Sequence, residues 1–358
     1  MKPEIWKRFT HGRRRLYEAR RRMARQIIMK LLKMPWNQTV SVLYLPKDFG
    51  DVKIIKEVIP SQWVSFQSNT SVDRNFSHYF KPRISVKLDN PLIDFSTGDV
   101  FGWDKVKRRW LLIEETSEWP IEYRIQFAKS PSNSRSYPRL HGSYLNGILS
   151  KSHYHRLTED VPTLLTLGDG NPILTKENDE VLLRDFSLEN LQRIEDNGLV
   201  QVDELTILTK GLDVGYLMPG YRDTLKSAMT QSRRGCSDRR LYLTRVDERR
   251  SITNEPEILE FMKSMEFEVV SPGIFSIHEQ VTLFSEAKIV VAPHGGALTN
   301  LVFADNAEVI EIMPRDRINR CFEWQSRVCG HSYTRLLCDT NGLNLSELKL
   351  TLIEKLKS

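Results

Sequence analysis

His155 and Glu159 are a pair of side chains whose types and spacing could perform acid–base chemistry. If the surrounding segment is helical, residues four apart share one face, which places an imidazole one turn from a carboxylate. Histidine titrates near neutral pH, and with support from an acid it is suited to take a proton from a hydroxyl group. The same spacing is also typical of a structural surface or core pair. The sequence thus offers His155 as a candidate base, assisted by Glu159, with Asp160 as the substitute.

A second candidate site is the segment PHGGALTNL at positions 293–301. Short apolar runs at 289–292 and 309–312 flank it, and they have the length and β-branched content of strands buried on both faces. Apolar residues after the glycines fall at helical spacing, which predicts strand, glycine-rich turn, helix and strand, half of a nucleotide-binding fold. Adjacent glycines let a backbone approach a ligand, and free N–H groups at a helix start attract phosphate. Such turns also occur for packing alone, but this one favours a pyrophosphate.

Charged residues at two predicted strand ends extend this site. Arg245 follows a strand that begins at residue 239, and its guanidinium could neutralise a diphosphate leaving group or form a structural ion pair. Glu311 ends the last strand, where it could accept hydrogen bonds from ribose hydroxyls or serve as a structural carboxylate. No D-x-D sequence occurs in the chain. We therefore expect no metal site and no cofactor, with the negative charge carried by Arg245 and the glycine-rich turn.

The elements that must position these residues predict an α/β protein. Helices at 257–265 and 276–285 and a strand at 267–270 complete a βαβαβ series, which indicates a parallel sheet with ligands at the carboxyl ends of its strands. Residues 40–140 are rich in strand-forming and aromatic residues between turn signals, which indicates antiparallel strands. A simple closing helix is predicted at 343–356.

The chain has 358 residues, a mass of 41.7 kDa and 40% hydrophobic residues, enough for two cores. We expect a basic amphipathic arm at 1–36, an amino-terminal lobe at 37–230 and a carboxyl-terminal lobe at 231–358 that includes the closing helix. Small and charged residues at 231–237 mark the linker between the lobes.

The positive charge of the chain is concentrated at its amino terminus. Residues 1–33 hold twelve Lys or Arg against two glutamates, while the formal charge of the whole chain is only +6. The arm favours adsorption to an anionic membrane surface, with a solvated charged face and RNA contact as the alternatives. We expect no nucleic-acid partner. Its apolar end is too short to span a bilayer, and no cleavable signal pattern precedes it.

Four cysteines without metal spacing fit reduced thiols in a cytoplasm. Together with the basic arm, they lead us to expect a cytoplasmic protein attached peripherally to the inner face of the plasma membrane.

Three motifs together resemble those of glycosyltransferase family 61. The segment at 293–301 resembles its signature, usually P-H-G-A-G-L-T-N, with the order of the last small residues swapped at Gly296-Ala297. The second hallmark, usually N-Y-Y-H-W-L-x-D/E-x-x-P, is matched at His155, Leu157, Glu159 and Pro162, whereas Ser152, His153 and Arg156 depart from it. The third is an S-R or T-R after the strand, further arginines and an N-E pair, here Thr244-Arg245, Arg249, Arg250, Asn254 and Glu255.

Within this family, the chain resembles the bacterial capsular polysaccharide type. The resemblance implies a GT-B fold with two Rossmann-like lobes facing across a cleft and extra antiparallel strands in the amino-terminal lobe. It implies that residues 37–230 form an acceptor-side lobe and residues 231–358 a nucleotide-sugar-binding lobe. It implies a hexosyl- or pentosyltransferase that moves a sugar, with inversion and without a metal, from a nucleotide-sugar, usually a UDP-sugar, to a hydroxyl of a glycan or lipid-linked glycan acceptor. The implied catalytic residues are His155 and Glu159. The implied substrate-binding residues are Arg245, Arg249, Arg250, Asn254, Glu255, His294, Gly295, Gly296, Ala297, Thr299, Asn300 and Glu311.

Two other classes of function compete with this interpretation. An acyl hydrolase could use the His-Gly-Gly turn as an oxyanion hole, but the chain contains no G-x-S-x-G nucleophile elbow. A catalytically inactive nucleotide- or glycan-binding module of the same fold is the alternative to an enzyme, because Arg156 and the reordered glycine depart from the family pattern.

Overall fold

A computed structural model describes most of the chain from residue 39 onward. The described residues are 39–40, 52–59, 62–66, 76–80, 83–105, 108–113, 131–132, 135–168, 170–195, 198–209, 216–230, 238–245, 252–339 and 342–357. The predicted basic arm and the predicted linker at 231–237 lie outside them. Within the described residues, no helix is both long and apolar enough to cross a membrane.

The described residues form a mixed α/β protein with a large sheet and helices. The strands are β1 (Thr39–Val40), β2 (Val52–Ile59), β3 (Gln62–Phe66), β4 (Phe76–Phe80), β5 (Arg83–Asp89), β6 (Leu92–Asp94), β7 (Val100–Asp104), β8 (Arg109–Ile113), β9 (Arg139–Asn146), β10 (Ile173–Thr175), β11 (Leu191–Arg193), β12 (Leu199–Leu208), β13 (Arg239–Leu243), β14 (Glu268–Val270), β15 (Ala287–Pro293), β16 (Glu308–Pro314) and β17 (Ser332–Cys338).

The first helix, α1, runs through residues 153–167 in three consecutive parts. These are an α-helical turn at His153–His155, a π-helical turn at Arg156–Asp160 and an α-helical part at Val161–Leu167. The other α-helices are α2 (Glu177–Asp185), α3 (Tyr221–Ala228), α4 (Glu255–Ser264), α5 (Ile277–Ser285), α6 (Cys321–Val328) and α7 (Leu345–Lys357). Short 3₁₀ segments occupy Pro272–Ile274 and Gly296–Phe303.

The chain divides into two compact units that are not contiguous in sequence. The first unit comprises residues 1–60, 82–148 and 194–212, and the second comprises 61–81, 149–193 and 213–358. This division differs from the expected lobe boundary at residue 231. The difference arises because α1 packs against α3 and against the 3₁₀ segment at Gly296–Phe303, so that residues from before residue 200 belong with the carboxyl-terminal sheet.

The first unit is built on a mostly antiparallel sheet centred on β12. One end of β12 pairs with β6 and the other with β5, both antiparallel, while β9 pairs with β12 in parallel. The β6, β7 and β8 strands continue the sheet as antiparallel neighbours, and β5 pairs with β2. The prediction of antiparallel strands in this part of the sequence is confirmed for the described residues, although β1 joins β8 in parallel.

The second unit contains a five-stranded parallel sheet in the order β14, β13, β15, β16, β17. The chain leaves the first strand of this series, β13, to form β14 at the edge and then returns to the opposite side of β13 as β15. Such an order has its topological switch point between β13 and β15, and doubly wound sheets bind ligands beyond the carboxyl ends of the strands at that point.

The buried strands follow directly from their sequences. Residues 289–292 and 309–312 are completely buried, as their continuous β-branched runs predict. Alternate residues of β15 and β16 form one hydrophobic cluster with α4 and α7. Helix α5 begins with a capping box between Ser276 and Glu279, which the S-x-x-E spacing signals.

Two features of this sheet differ from the sequence-based expectations. The segment after the glycines is a 3₁₀ helix over Gly296–Phe303 rather than the expected helix of a nucleotide-binding half. Helix α6 and strand β17 were not predicted at all. They occupy the stretch between β16 and the closing helix, and they supply residues of the candidate site.

Candidate functional site

The His155–Glu159 pair predicted from the sequence is present in α1. His155 Nδ1 lies 2.9 Å from Glu159 Oε1, and the His155 residue is 5% exposed. Because Nδ1 bonds to the carboxylate, the role of general base would fall to Nε2 of the ring. The carboxylate thus orients the imidazole in the way that a general base requires.

A π-helical turn follows His155 directly. The N–H of Val161 bonds to the carbonyl of Arg156, five residues earlier. Pro162 explains the irregularity, because proline has no N–H and in a regular α-helix its ring would clash with the carbonyl four residues before it. Single π-helical turns are frequent at functional sites. This one carries Glu159.

The neighbours of His155 on α1 have structural partners. The Asp160 carboxylate is buried and accepts a hydrogen bond from the backbone N–H of Ser150 at 2.6 Å, which makes it an anchor of the helix start rather than a good substitute base. Arg156, where family members usually have tryptophan, forms an ion pair at 3.0 Å with the buried carboxylate of Asp179 in α2. Burial raises the pKa of Asp179, and the charge of Arg156 opposes that rise.

Arg245 and His294 meet at the switch point of the parallel sheet, where β13 and β15 end. The Arg245 guanidinium donates a hydrogen bond from Nη1 to the carbonyl of His294 at 2.6 Å. Gly295 makes this approach possible, because a Cβ added there would lie 2.4 Å from Arg245 Nη1. The backbone of Gly295 is extended, with φ 171°, so its requirement for glycine comes from contact and not from backbone strain. We call the group formed by Arg245, His294, Gly295 and Gly296 the glycine corner.

The swapped order of Gly296 and Ala297 is compatible with this geometry. A Cβ added at Gly296 would meet no atom within 4 Å, and Gly296 is exposed. Neither Gly296 nor Ala297 adopts a left-handed backbone conformation. Position 296 can therefore hold glycine here or alanine as in other family signatures without a change in backbone conformation, and the glycine leaves more open space at the corner.

Glu311 is enclosed in the sheet. The residue is 0% exposed, its Oε1 lies 2.5 Å from His294 Nδ1, and its Oε2 accepts a hydrogen bond from the hydroxyl of Tyr333. Both carboxylate oxygens thus have protein partners, so Glu311 holds His294 and does not face a ribose. The pKa of Tyr333 is raised by burial and then by the charge of Glu311, which keeps its hydroxyl protonated as a donor.

Other predicted substrate-binding residues also serve the framework. Glu255 Oε1 accepts hydrogen bonds from the hydroxyls of Tyr242 and Thr244 and from the backbone N–H of Arg245, which ties the start of α4 to the end of β13. The Asn254 amide exchanges two hydrogen bonds with the backbone of Leu343.

The two polar residues of the 3₁₀ segment are buried inside the protein. Thr299 and Asn300 are 0% exposed, and Asn300 donates a hydrogen bond to Gln280 at 2.7 Å. Arg249 and Arg250 lie outside the described residues. Of the residues predicted to bind the donor, Arg245, His294, Gly295 and Gly296 form the glycine corner, and the half-buried Ala297 follows it in sequence.

Two aromatic rings connect the helix and the corner. The rings of Tyr154 and Phe322 lie 5.6 Å apart, Tyr154 contacts His155 at 5.4 Å, and Phe322 contacts His294 at 5.3 Å. The structure thereby brings the two predicted motifs into one cluster within the second unit. Sequence reasoning missed Phe322 and Tyr333, since no local spacing relates them to residues 155 or 294.

The nearby thiol is not a nucleophile. Burial, and then the charge of Glu311, raises the pKa of Cys321 to about 12, so the thiol stays protonated near neutral pH. Within the parts of the chain that the structure describes, no group of three or more His, Cys, Asp and Glu residues is arranged to hold a metal ion. The polar groups that the described residues bring together here are imidazoles, carboxylates, a guanidinium and backbone N–H groups.

Comparison with known proteins agrees with the motifs. No protein with a curated description matches the chain. The family model described as Glycosyltransferase 61 matches residues 54–310, more than half of the chain and all three motifs. The matched range includes the histidine before the π-helical turn, the strand-terminal arginine and the glycine corner, and the chain belongs to glycosyltransferase family 61.

Proposed function

We propose that this glycosyltransferase moves a sugar with inversion from a nucleotide-sugar, a UDP-sugar in the first instance, to a hydroxyl group of an acceptor glycan. Family membership supports the transferase activity. The observation that carries the rest is the clustering of the His155–Glu159 pair with the glycine corner through Tyr154 and Phe322. Base and leaving-group site are then parts of one compact unit.

In the proposed reaction, His155 Nε2 takes the proton of the acceptor hydroxyl while that oxygen attacks the anomeric carbon of the donor sugar. The bond from that carbon to the diphosphate oxygen breaks on the opposite face, so no covalent enzyme intermediate is needed. Glu159 at Nδ1 stabilises the imidazolium that forms. The diphosphate leaves with its electron pair, and Arg245 and the backbone N–H groups of the corner carry its charge.

The proposal includes independence from a metal ion. The donors described above already present a guanidinium and an imidazole at the switch point. The absence of D-x-D from the sequence supports the same view, because metal-dependent transferases hold the diphosphate through paired carboxylates. Addition of EDTA is expected to leave the transfer rate unchanged, and restoration of a lost rate by Mg²⁺ or Mn²⁺ would contradict this part of the proposal.

The proposed base is tested by His155→Ala. General base catalysis contributes about 10²–10⁴-fold, so UDP release in the presence of acceptor should fall by at least about 100-fold. His278→Ala is the matched control, because His278 is an exposed histidine of the same unit that pairs with Asp185 away from the site. An unchanged rate for His155→Ala would eliminate this base. Donor binding without any turnover by the wild type would instead favour the inactive binding module.

The donor nucleotide is tested by thermal unfolding with UDP, GDP and CMP and their sugars. Selective stabilisation reports binding to the folded state. Stabilisation by UDP is the expected result, whereas a strong preference for GDP or CMP would overturn the donor assignment.

The proposed setting is the synthesis of a capsular or similar surface polysaccharide at the inner face of the plasma membrane, by a GT-B enzyme of two lobes that transfers a hexose or pentose. The charge of residues 1–33 supports membrane attachment, since each Lys or Arg near an anionic surface contributes about 1 kcal/mol. Removal of residues 1–33 should weaken binding to anionic vesicles and spare activity in solution. Equal retention on anionic and neutral vesicles would contradict the membrane arm.

A further inference from the structure

The buried carboxylate of Glu311 lies at the centre of a chain of three side chains. Its two oxygens bond to His294 Nδ1 and to the hydroxyl of Tyr333, and the residue is 0% exposed. Glu311 and Tyr333 both follow residue 310, where the match to the family model ends. The contacts of Glu311 with His294 and Tyr333 are therefore taken from the structure and not from the family match.

A carboxylate in this position has an energetic cost. The neighbouring residues of β16, from Val309 to Met313, are completely buried and apolar, and burying a charged group among them is unfavourable unless its oxygens are hydrogen-bonded and its charge is compensated. An apolar residue would pack there at lower cost. Glu311 has one partner on each carboxylate oxygen, so it is placed to fix both of those partners.

The strand register explains why Tyr333 can reach Glu311. Tyr333 pairs with Val309 in the parallel β16–β17 ladder, and residues 309 and 311 point to the same face of the sheet. Tyr333 is thus a diagonal neighbour of Glu311. Because burial and the Glu311 charge keep its hydroxyl protonated, Tyr333 donates and leaves the other oxygen to the imidazole.

The backbone N–H, the backbone carbonyl and Nδ1 of His294 all have hydrogen-bond partners. The N–H donates to the carbonyl of Ile312 at 2.8 Å, the carbonyl accepts from the Arg245 guanidinium, and Nδ1 bonds to the Glu311 carboxylate. The side chain remains 13% exposed, and the structure gives Nε2 no partner among the described residues. In the ion-paired form, Nδ1 donates to Glu311 and Nε2 keeps a proton that it can donate to an anionic ligand at the glycine corner.

We propose that Glu311 and Tyr333 are positioning residues that hold His294 so that its Nε2–H donates to a phosphate oxygen of the departing nucleoside diphosphate. The inference rests on the proposed function. It divides the work of the site between two His–carboxylate pairs, with His155–Glu159 acting on the acceptor hydroxyl and His294–Glu311 acting on the leaving group. The two pairs are linked through the rings of Tyr154 and Phe322.

The test removes one hydroxyl group. Tyr333→Phe keeps the ring and deletes the donor to Glu311, and Tyr221→Phe is the matched control because its buried hydroxyl contacts Thr163 on α1 outside the site. Calorimetric titration is carried out with UDP, with GDP as a second probe, and with uridine. Tyr333→Phe is expected to weaken diphosphate binding about tenfold, as the misplacement of one charge-assisted hydrogen bond would, and to leave uridine binding unchanged.

A double-mutant cycle separates positioning from packing. In a His294→Ala background, Tyr333→Phe should have no further effect on UDP affinity, because Tyr333 acts through His294. Weakening by the same factor in both backgrounds, or equal UDP affinities of Tyr333→Phe and Tyr221→Phe, would overturn the inference while the proposed function stands. Failure of the wild type to bind either UDP or GDP would overturn the proposed function and this inference with it.

Discussion

At the scale of single residues, the site is organised by close contacts that leave little freedom to the side chains involved. Arg245 lies over Gly295, Glu311 holds His294, and Glu159 holds His155. Each contact fixes one functional group relative to the backbone. Such preorganisation is what transfer chemistry without a covalent intermediate depends on, because the groups must already point at the charges that develop.

Gly295→Ala should weaken diphosphate binding by displacing Arg245. The new Cβ would lie 2.4 Å from Arg245 Nη1, so the flexible guanidinium must move and lose its bond to the His294 carbonyl. Because the moving atom is the end of a long side chain, we expect less than about 1 kcal/mol loss of stability and about a tenfold loss of UDP affinity. Gly273→Ala is the control, since no atom lies within 4 Å of its added Cβ. Equal affinities for UDP in the two variants, measured by titration, would contradict the prediction.

Arg156→Ala should destabilise the protein by about 3 kcal/mol, because it leaves the buried carboxylate of Asp179 without its ion-pair partner. The double variant Arg156→Ala with Asp179→Asn should recover part of the loss. Burial raises the pKa of Asp179 in the folded protein, so its protonated form is favoured on folding and the destabilisation should shrink as the pH falls toward that pKa. Urea unfolding at several pH values measures this, and a loss that grows on acidification would contradict it.

At the scale of elements, the 3₁₀ segment at Gly296–Phe303 is held by a neighbouring helix. Gln325 of α6 is 0% exposed, and its side-chain amide donates to the carbonyls of Leu298 at 3.1 Å and Thr299 at 2.8 Å. A 3₁₀ helix of this length has poorer internal hydrogen-bond geometry than an α-helix, so support from outside is physically expected. The position of the glycine corner thus depends on α6.

Gln325→Leu should therefore destabilise the protein by about 2 kcal/mol, because two buried carbonyls lose a donor while the side-chain volume hardly changes. The neighbouring Ser326→Ala is the control, since the Ser326 hydroxyl is buried without a partner among the described residues, and we expect a change within about 0.5 kcal/mol. Hydrogen exchange at residues 296–303 should accelerate in Gln325→Leu alone. Equal effects of the two substitutions on urea unfolding would show that the amide does not support the segment.

At the scale of the whole molecule, stability is linked to pH through a histidine outside the site. His331 is buried, its Nε2 donates to the Leu301 carbonyl, and its Nδ1 accepts from the N–H of Ala307. This arrangement requires a neutral ring. Burial lowers the pKa of His331 from 6.5 to about 4 in the folded protein.

The sign of the effect follows from which state binds the proton. Between pH 6.5 and about 4 the unfolded chain protonates His331 and the folded protein does not, so stability is fully present above 6.5 and is lost as the pH falls toward 4. The loss is on the order of 3 kcal/mol. His331→Asn keeps an acceptor for Ala307 and should unfold with a flatter dependence on pH over this range. Parallel pH profiles for the wild type and the variant would contradict the assignment.

Local patterns in the sequence determined much of the fold of the second unit. Three features depend only on neighbours within a few residues, so they can be recognised in the sequence alone. They are the β-branched runs at 289–292 and 309–312, the capping box at Ser276 and the four-residue spacing of His155 and Glu159. The family motifs extended this to the activity, and the family match confirms a glycosyltransferase.

Only the tertiary structure decided which polar residues of the motifs are enclosed by protein partners and which keep exposed surface. Five polar residues of the predicted motifs are buried or hydrogen-bonded to other protein groups, namely Thr299, Asn300, Asn254, Glu255 and Glu311. Tyr333 and Phe322 join the site from the stretch after β16, which carries no local signal of function. Burial and hydrogen-bond partners at such separations arise from packing, whereas periodicity and spacing report only what is local.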